Sequence, residues 1–382
     1  MSKSIYLNHA GTSWPKPSVV VDAVERAFKD VPDRWPESFE RAHTSVCQYF
    51  GVANSEQLLL TPGCTSSLAT AIANVQLPPG SRVLTSGWEH HAVHAPLMKL
   101  RDRGFQVDTI AANPTTPFDL DQLEDVLKAG KVGLVAITAA CNVTGELLPV
   151  DDTIELAHRY DAMVLIDAAQ IAGWIDFDLD ALGADLVAFG GHKAMQSPWG
   201  IGGLYVNSSA RLRCISSQCE LPTNRNTETV RGNLFSKRLE YCDVGSVDQF
   251  SLAGLAAATE WLSDSDRQPR LSVARRQTER LRAVLEKQDR AVLYGNQHAN
   301  SRLPTIAFEI TNQSSGTIAE LLKQQGVIAS GGLQCSPQSH RSLGTDQRGV
   351  VRLSVGIDQS DSDIDQAIEC IDAALKPLGR TA

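Results

Sequence analysis

The chain has 382 residues, 42% hydrophobic and 21% charged, which is ordinary globular composition and long enough for two or three domains around a large core. Lys and Arg number 35 against 44 Asp and Glu, and the resulting formal net charge of −9 disfavours nucleic acid or an anionic membrane as a partner. No apolar run nears the roughly 18 residues a spanning helix needs, and MSKSIYLNHAG has no apolar targeting core, so a cytoplasmic location is expected.

Ile5 to Pro17, IYLNHAGTSWPKP, begins extended and breaks at two prolines. Val19–Lys29 carries apolar residues at helical spacing, and the stretch from Pro32 to Pro36 ends it. Leu58–Ser67, LLLTPGCTSS, reads as a strand, a Pro-Gly turn and the start of a helix running to about Val75. Free N–H groups at a helix start favour an anion, so Gly63, Cys64 and Thr65 form a candidate phosphate cup, although capping alone would also account for Thr65 and Ser66. Val83–Thr85 is the next strand, with Gly87–Ala92 at its carboxyl end. A helix near Val93–Arg103, a strand at Gln106–Ile110 and a helix from Leu120 to about Leu127 follow. Val132–Thr138 is a strand that leads into Cys141-Asn142-Val143-Thr144-Gly145, by itself only a turn, before a helix at Asp151–Tyr160.

The segment from Met163 to Val206 carries most information. Met163–Ile166 and Leu186–Phe189 are short, β-branched-rich runs that stop abruptly, as buried parallel strands do. Asp167 ends the first and Lys193 follows the second by four residues, so both are expected at strand carboxyl ends, where ligands bind in open α/β sheets. An acid and a lysine so placed suit pyridoxal 5'-phosphate, which needs an amine for its imine linkage and a carboxylate to keep its ring nitrogen protonated. Burial beside a turn carrying Trp199 would depress the Lys193 pKa and help it move protons. Alone, the pair also fits a helix cap and a surface lysine.

Ile201–Val206 returns too soon for a parallel crossover and is expected antiparallel. Arg211–Tyr241 is polar and irregular and is assigned no chemistry. Phe250–Leu262 is an alanine-rich helix, and the polar run Ser263–Pro269 reads as a boundary. Beyond it come a charged helix (Arg270–Lys287), strands near Val292–Tyr294 and Thr305–Ile310, and helices at Thr317–Gln325 and Asp363–Leu375. Ser330–Thr345 is broken by Gly and Pro and reads as a loop carrying Cys335. The eight cysteines (Cys47, Cys64, Cys141, Cys214, Cys219, Cys242, Cys335 and Cys370) show no metal spacing and read as reduced thiols, mostly buried. Cys335, on its loop, is the one expected to be exposed and reactive.

Several of these stretches together resemble the class V aminotransferase and cysteine desulfurase group of fold type I pyridoxal-phosphate enzymes. They are the opening YLNHAGT, the GCT turn, EHHA, CNVTG, Asp167-x-x-Gln170, His192-Lys193 with the Gly200/Gly202 turn, Val244-Gly245-Ser246-Val247-Asp248, and the Cys335 loop followed by Val351-Arg352-Leu353-Ser354. The resemblance implies an α/β fold with a large cofactor domain (residues 18–262, a mostly parallel sheet of the seven-stranded type) and a smaller α+β domain (1–17 and 263–382). It implies that Lys193 carries the cofactor, Asp167 holds its ring nitrogen, and Gln170 and Asn142 face its phenolic oxygen, Asn142 also meeting substrate. His90, but not His91, would stack on the ring, and Gly63, Cys64, Thr65 and His192 would hold the phosphate. Ser246 would reach the phosphate of a neighbouring subunit, which makes a homodimer the expected assembly. Cys335 would be the nucleophile and Arg352 the grip on the substrate carboxylate.

The activity implied is removal of sulfur from L-cysteine, giving alanine and a persulfide on Cys335, with a sulfur-acceptor protein as a possible partner. A lyase acting on cystine, cysteine or selenocysteine, or an aminotransferase, would share every cofactor residue. A weakly catalytic cofactor-binding scaffold is a third reading, motivated by Gly190, Ser330 and Gln334, which replace the family's Ser or Thr, Arg and His.

Overall fold

The computed structural model describes residues 4–112, 117–213, 248–263 and 267–378. Strand β1 (Ile5–Tyr6) is followed by helices α1 (Ser18–Ala27) and α2 (Trp35–Tyr49), then β2 (Leu58–Thr61), α3 (Cys64–Asn74), β3 (Arg82–Ser86) and α4 (His91–Asp102). The alternation continues through β4 (Gln106–Ile110), α5 (Leu120–Lys128), β5 (Val132–Thr138), α6 (Val150–Arg159), β6 (Met163–Asp167), α7 (Leu179–Leu182), β7 (Leu186–Gly190) and β8 (Gly202–Val206).

These strands form one seven-stranded sheet in the order β2-β8-β7-β6-β5-β3-β4. Its pairs from β4 through β7 are parallel, and β8 runs antiparallel to both neighbours, as its short return from β7 requires. Strands β5, β6 and β7 are buried along their whole length, which is why they are continuous apolar runs with no alternation. One layer of core lies under α3 and α4 (Leu68, Ile72, Val93, Leu97), and a larger cluster covers the opposite face.

The rest of the chain adds α8 (Gln249–Ser263), α9 (Arg267–Leu285), β9 (Ala291–Tyr294), β10 (Thr305–Ile310) and α10 (Ser315–Gln324). It closes with β11 (Val327–Ile328), β12 (Ser330–Gly332), α11 (Pro337–Leu343), β13 (Val350–Ser354) and α12 (Asp361–Leu375). Strands β12-β13-β10-β9 make a second, antiparallel sheet, and β1 pairs in parallel with β11. Helix α8 packs against α1 and α2, so apolar residues lie on most of its circumference.

Five elements differ from the reading of the sequence: α2, α9, β12, α11 and β13. Pro36 lies in the first turn of α2, where a missing N–H costs nothing, so the prolines open a helix as well as close one. Helix α9 begins at Arg267, within the expected boundary. The Ser330–Thr345 loop contains β12 and α11, and β13 follows it. These pieces are only 3, 7 and 5 residues long, too short to show a period.

Gly202 is a point of close approach between sheet and helix: a Cβ there would stand 2.4 Å from the Phe189 carbonyl oxygen, 2.9 Å from Gly63 Cα and 3.0 Å from Cys64 N. Gly202→Ala is expected to push α3 off the sheet and cost about 1–3 kcal/mol as an overpacking defect. Urea unfolding of the variant checks this, and an unchanged midpoint would show that the turn yields.

Candidate active site

The carboxyl ends of the parallel strands open into a cavity of about 440 Å³. Gly63, Cys64 and Thr65 line it, with His90, Asn142, Asp167, Gln170, His192, Lys193, Cys335 and Arg352. Those are all but one of the residues singled out above. The exception, Ser246, lies outside the described residues, as do Cys214, Cys219 and Cys242.

One end of the cavity has groups that could hold an anion. Gly63, at φ +143°, turns the chain from β2 into α3, so the first amides of α3 face the cavity without helical partners. Thr61 and Ser67 share a hydroxyl bond of 2.7 Å, and Ser67 Oγ donates to the Gly203 carbonyl at 2.9 Å, fastening the helix start to the sheet. His192 Nδ1 is buried with no protein partner, an orphaned polar atom beside this cup. Burial, then the charges of Lys193 and Lys16, holds the His192 pKa down near 4, so its ring is neutral.

Gly190, where the family has a hydroxyl residue, has room: a Cβ would meet Cys64 Cβ at 3.4 Å and the His192 ring at 3.8 Å, ordinary contacts. Gly190→Ser is therefore expected to fold normally and, by adding a donor near the cup, to tighten pyridoxal-phosphate binding about threefold to tenfold, one hydrogen bond's worth. Titration of the apoprotein checks it, and weaker binding would mean that the cup lies elsewhere.

The middle of the cavity holds an acid, an amine and a flat ring. Asp167 ends β6, and its Oδ1 accepts from Ala169 N at 2.9 Å and from Cys64 Sγ at 3.4 Å. Burial lowers the Lys193 pKa, opposed by the nearby charge of Asp167. Trp199 contributes little to that burial, since it is 63% exposed at the cavity rim. His90 precedes α4, and its Nδ1 accepts from Ala92 N at 3.0 Å, which leaves the ring proton on Nε2. Burial and then Lys193 push its pKa down to about 4, consistent with a neutral ring. Gln170 Nε2 donates to the Ala10 carbonyl at 3.1 Å, tying the N-terminal segment over the cavity.

The far end carries a guanidinium and a thiol. Arg352, on β13, is 3% exposed and has no carboxylate partner among the described residues. It donates to the Asn142 carbonyl at 2.7 Å and to Asn8 Oδ1 at 2.8 Å, while its Nε has no partner. Burial lowers its pKa to about 10, still cationic at neutral pH. A buried cation bonded only to neutral acceptors is held ready for an anion.

Cys335 is the exposed member among the described cysteines. Gln334 and Cys335 adopt φ of +41° and +57°, a left-handed pair that side chains disfavour. Three bonds hold this bend: Asn142 Nδ2 to the Gln334 carbonyl at 2.8 Å, His91 N to the Cys335 carbonyl at 2.9 Å, and Ser336 Oγ to Asn142 Oδ1 at 2.6 Å. The Gln334 side chain donates to the Val350 carbonyl at 3.0 Å and its Oε1 lies 3.1 Å from His340 Nε2.

Several contributors escaped the sequence reading. Asn8 orients Arg352 from 344 positions away. Lys16 donates to the His192 carbonyl at 2.9 Å, and burial lowers its pKa to about 8. Glu89, fully buried behind His90 and pushed up to about 8 by burial, accepts from Ser86 Oγ and Thr138 N. Asn8 and Glu89 fall within the YLNHAGT and EHHA stretches, but the contacts of Asn8 with Arg352, Glu89 with Thr138 and Lys16 with His192 join separate elements, so no local pattern gives them.

Known proteins bear on this geometry. The "Probable cysteine desulfurase" of Vibrio cholerae serotype O1 is 28% identical over 98% of this chain and 94% of its own length, and the cysteine desulfurase CsdA of Escherichia coli is 27% identical with the same coverage. Among solved structures, the apo cysteine desulfurase of Thermococcus onnurineus NA1 superposes with a TM-score of 0.86 at 21% identity, covering 98% of this chain and 95% of that one. The S-sulfonic acid form of Escherichia coli CsdA gives 0.85 at 24% identity with the same coverage. These two share the fold, an α/β architecture with a mostly parallel central sheet. The sequence matches the family "Aminotransferase class-V" over residues 5–367, and the chain belongs to that family.

Proposed function

We propose that the chain is a pyridoxal-phosphate-dependent cysteine desulfurase. The observation that carries this reading is the meeting of Lys193, Asp167, His90, Arg352 and Cys335 in one cavity, with the start of α3 and the unpartnered His192 Nδ1 at its end. Relatives named cysteine desulfurase along nearly the whole chain support it.

The residues fit the cofactor. The α3 amides and His192 would take its phosphate, His90 its ring face, Asp167 its ring nitrogen and Lys193 its aldehyde carbon. When bound, pyridoxal phosphate supplies an electron sink for charge developing at the substrate Cα.

This chain's residues do the rest. Arg352 grips the L-cysteine carboxylate with the N–H groups that Asn8 and Asn142 leave unused, a bidentate fit that fixes which substrate bond lies against Lys193. The Lys193 amine, with its depressed pKa, moves the Cα proton. Cys335 attacks the substrate sulfur as a thiolate. A bond forms from Cys335 Sγ to that sulfur while the Cβ–S bond breaks, its electron pair staying on carbon, which takes a proton and becomes the methyl group of alanine.

The engagement of Gln334 with Val350 and His340, at the position where the family has a histidine, favours a second reading, in which Cys335 is not the acceptor and the chain is a cystine, cysteine or selenocysteine lyase. A homodimer with Ser246 reaching the neighbouring phosphate remains part of the proposal, as does an acceptor protein for the sulfur. Among the described residues no helix is long and apolar enough to cross a membrane.

A single turnover of the holoenzyme with L-cysteine tests the reading. Alanine, with one sulfur atom added at Cys335 by peptide mass spectrometry and both lost in Cys335→Ala, is the expected result. Pyruvate without that adduct would replace the desulfurase by the lyase.

A further inference from the structure

Two thiols, Cys64 and Cys335, line the same cavity, and their surroundings differ. Cys335 is exposed, on a bend with positive φ. Cys64 is the first residue of α3, partly buried, with its Sγ 3.4 Å from Asp167 Oδ1. Burial, then the neighbouring carboxylate, pushes the Cys64 thiol well above the ordinary range. It therefore keeps its proton and is a hydrogen-bond donor with little nucleophilic character.

We propose that Cys64 is a positioning residue for Asp167: its S–H, together with Ala169 N–H, occupies Oδ1 and so turns the other oxygen, Oδ2, toward the ring nitrogen of the bound cofactor. Both donors converge on Oδ1, at 3.4 and 2.9 Å, and among the described residues no group donates to Oδ2. Asp167 nevertheless lines the cavity, so Oδ2 is the atom left to meet a ligand.

The arrangement answers a specific difficulty. The carboxylate torsion of aspartate is broad and roughly two-fold, so a carboxylate held by one amide can rock. Lys193, whose amine feels the charge of Asp167, is a competing attraction for it, and an Asp167–Lys193 pair would occupy both groups that the cofactor needs. A second donor on Oδ1 opposes that rotation. Because Cys64 also opens the phosphate cup, the same residue fixes the spacing between the anion end of the cavity and its acid. A rigid cofactor reads that spacing directly.

This inference rests on the cofactor reading above, and the experiment separates the two. Cys64→Ala and Cys64→Ser are prepared in the full chain. Each apoprotein is titrated with pyridoxal phosphate, and the midpoint of the pH-dependent change in the visible band is recorded for each holoprotein. The alanine variant is expected to bind the cofactor about three- to tenfold more weakly and to show a displaced midpoint. The serine variant, which keeps a donor, is expected to return both to within about twofold of the wild type. Alanine and serine variants that both match the wild type, or that are both weakened equally, would overturn the role of Cys64 and leave the cofactor reading standing. A wild-type chain that takes up no pyridoxal phosphate would overturn both.

Discussion

Replacing Lys193 by alanine is expected to abolish turnover, by at least about 10⁴-fold, since on the proposed function it removes both the attachment point and the group that moves the Cα proton. The visible absorption of the lysine-linked cofactor should disappear with it. The same substitution should leave the apoprotein at least as stable as the wild type near neutral pH. Burial holds the Lys193 pKa below its unfolded value. Between the two pKa values the unfolded chain binds more protons than the folded one, so the contribution of this group to stability rises with pH through that window. Below the window the full cost of burying the cation is present, and alanine removes it. Thermal melts of the apo forms at pH 7 check the second half of the prediction and spectra of the reconstituted forms the first. A retained lysine-type band would show that another amine holds the cofactor.

Arg352→Ala carries the second large effect. The guanidinium is buried, and among the described residues it is bonded only to Asn8 and Asn142, with no acid to neutralise it. Its charge is thus available to a substrate carboxylate, and removing one partner of such a buried pair costs about 2–5 kcal/mol. The apparent KM for amino-acid substrates should rise by roughly 30-fold to several thousandfold, while pyridoxal-phosphate affinity, governed by the opposite end of the cavity, stays within about twofold. Arg352→Lys should recover little, because an ammonium cannot keep the bonds to Asn8 and Asn142 and also present a fork. Steady-state kinetics with L-cysteine and its analogues decide the matter, and an unchanged KM would place the carboxylate site elsewhere.

Arg352 also lies on strand β13 directly across from Ser330 in β12. The family arginine that Ser330 replaces would therefore stand beside a guanidinium already in place. On the proposed reading Arg352 is the cation left to hold the carboxylate among the described residues, which makes Arg352→Ala the more severe test.

Parallel strands announce themselves locally. Met163–Ile166 and Leu186–Phe189 are apolar throughout because both faces are covered, and their ends place Asp167 directly after the first and Lys193 four residues after the second. The anion cup was legible for a similar reason, since Leu58–Ser67 holds strand, turn and helix start within ten residues. The remaining roles assigned to His90, Asn142, Gln170, Cys335 and Arg352 came from the joint order of motifs, which no single spacing supplies.

What the sequence determined by itself was thus the alternating α/β order, the strand-end placement of Asp167 and Lys193, and the family to which the chain belongs. Tertiary structure alone decided that Asn8 holds Arg352, that Asn142 pins the Cys335 bend, that Gln334 faces His340, and that Cys64 touches Asp167. Local runs encode an element when burial or hydrogen bonding repeats along the chain. Contacts between residues 103, 192 or 344 positions apart depend on how separate elements pack, and no periodicity along the chain records them.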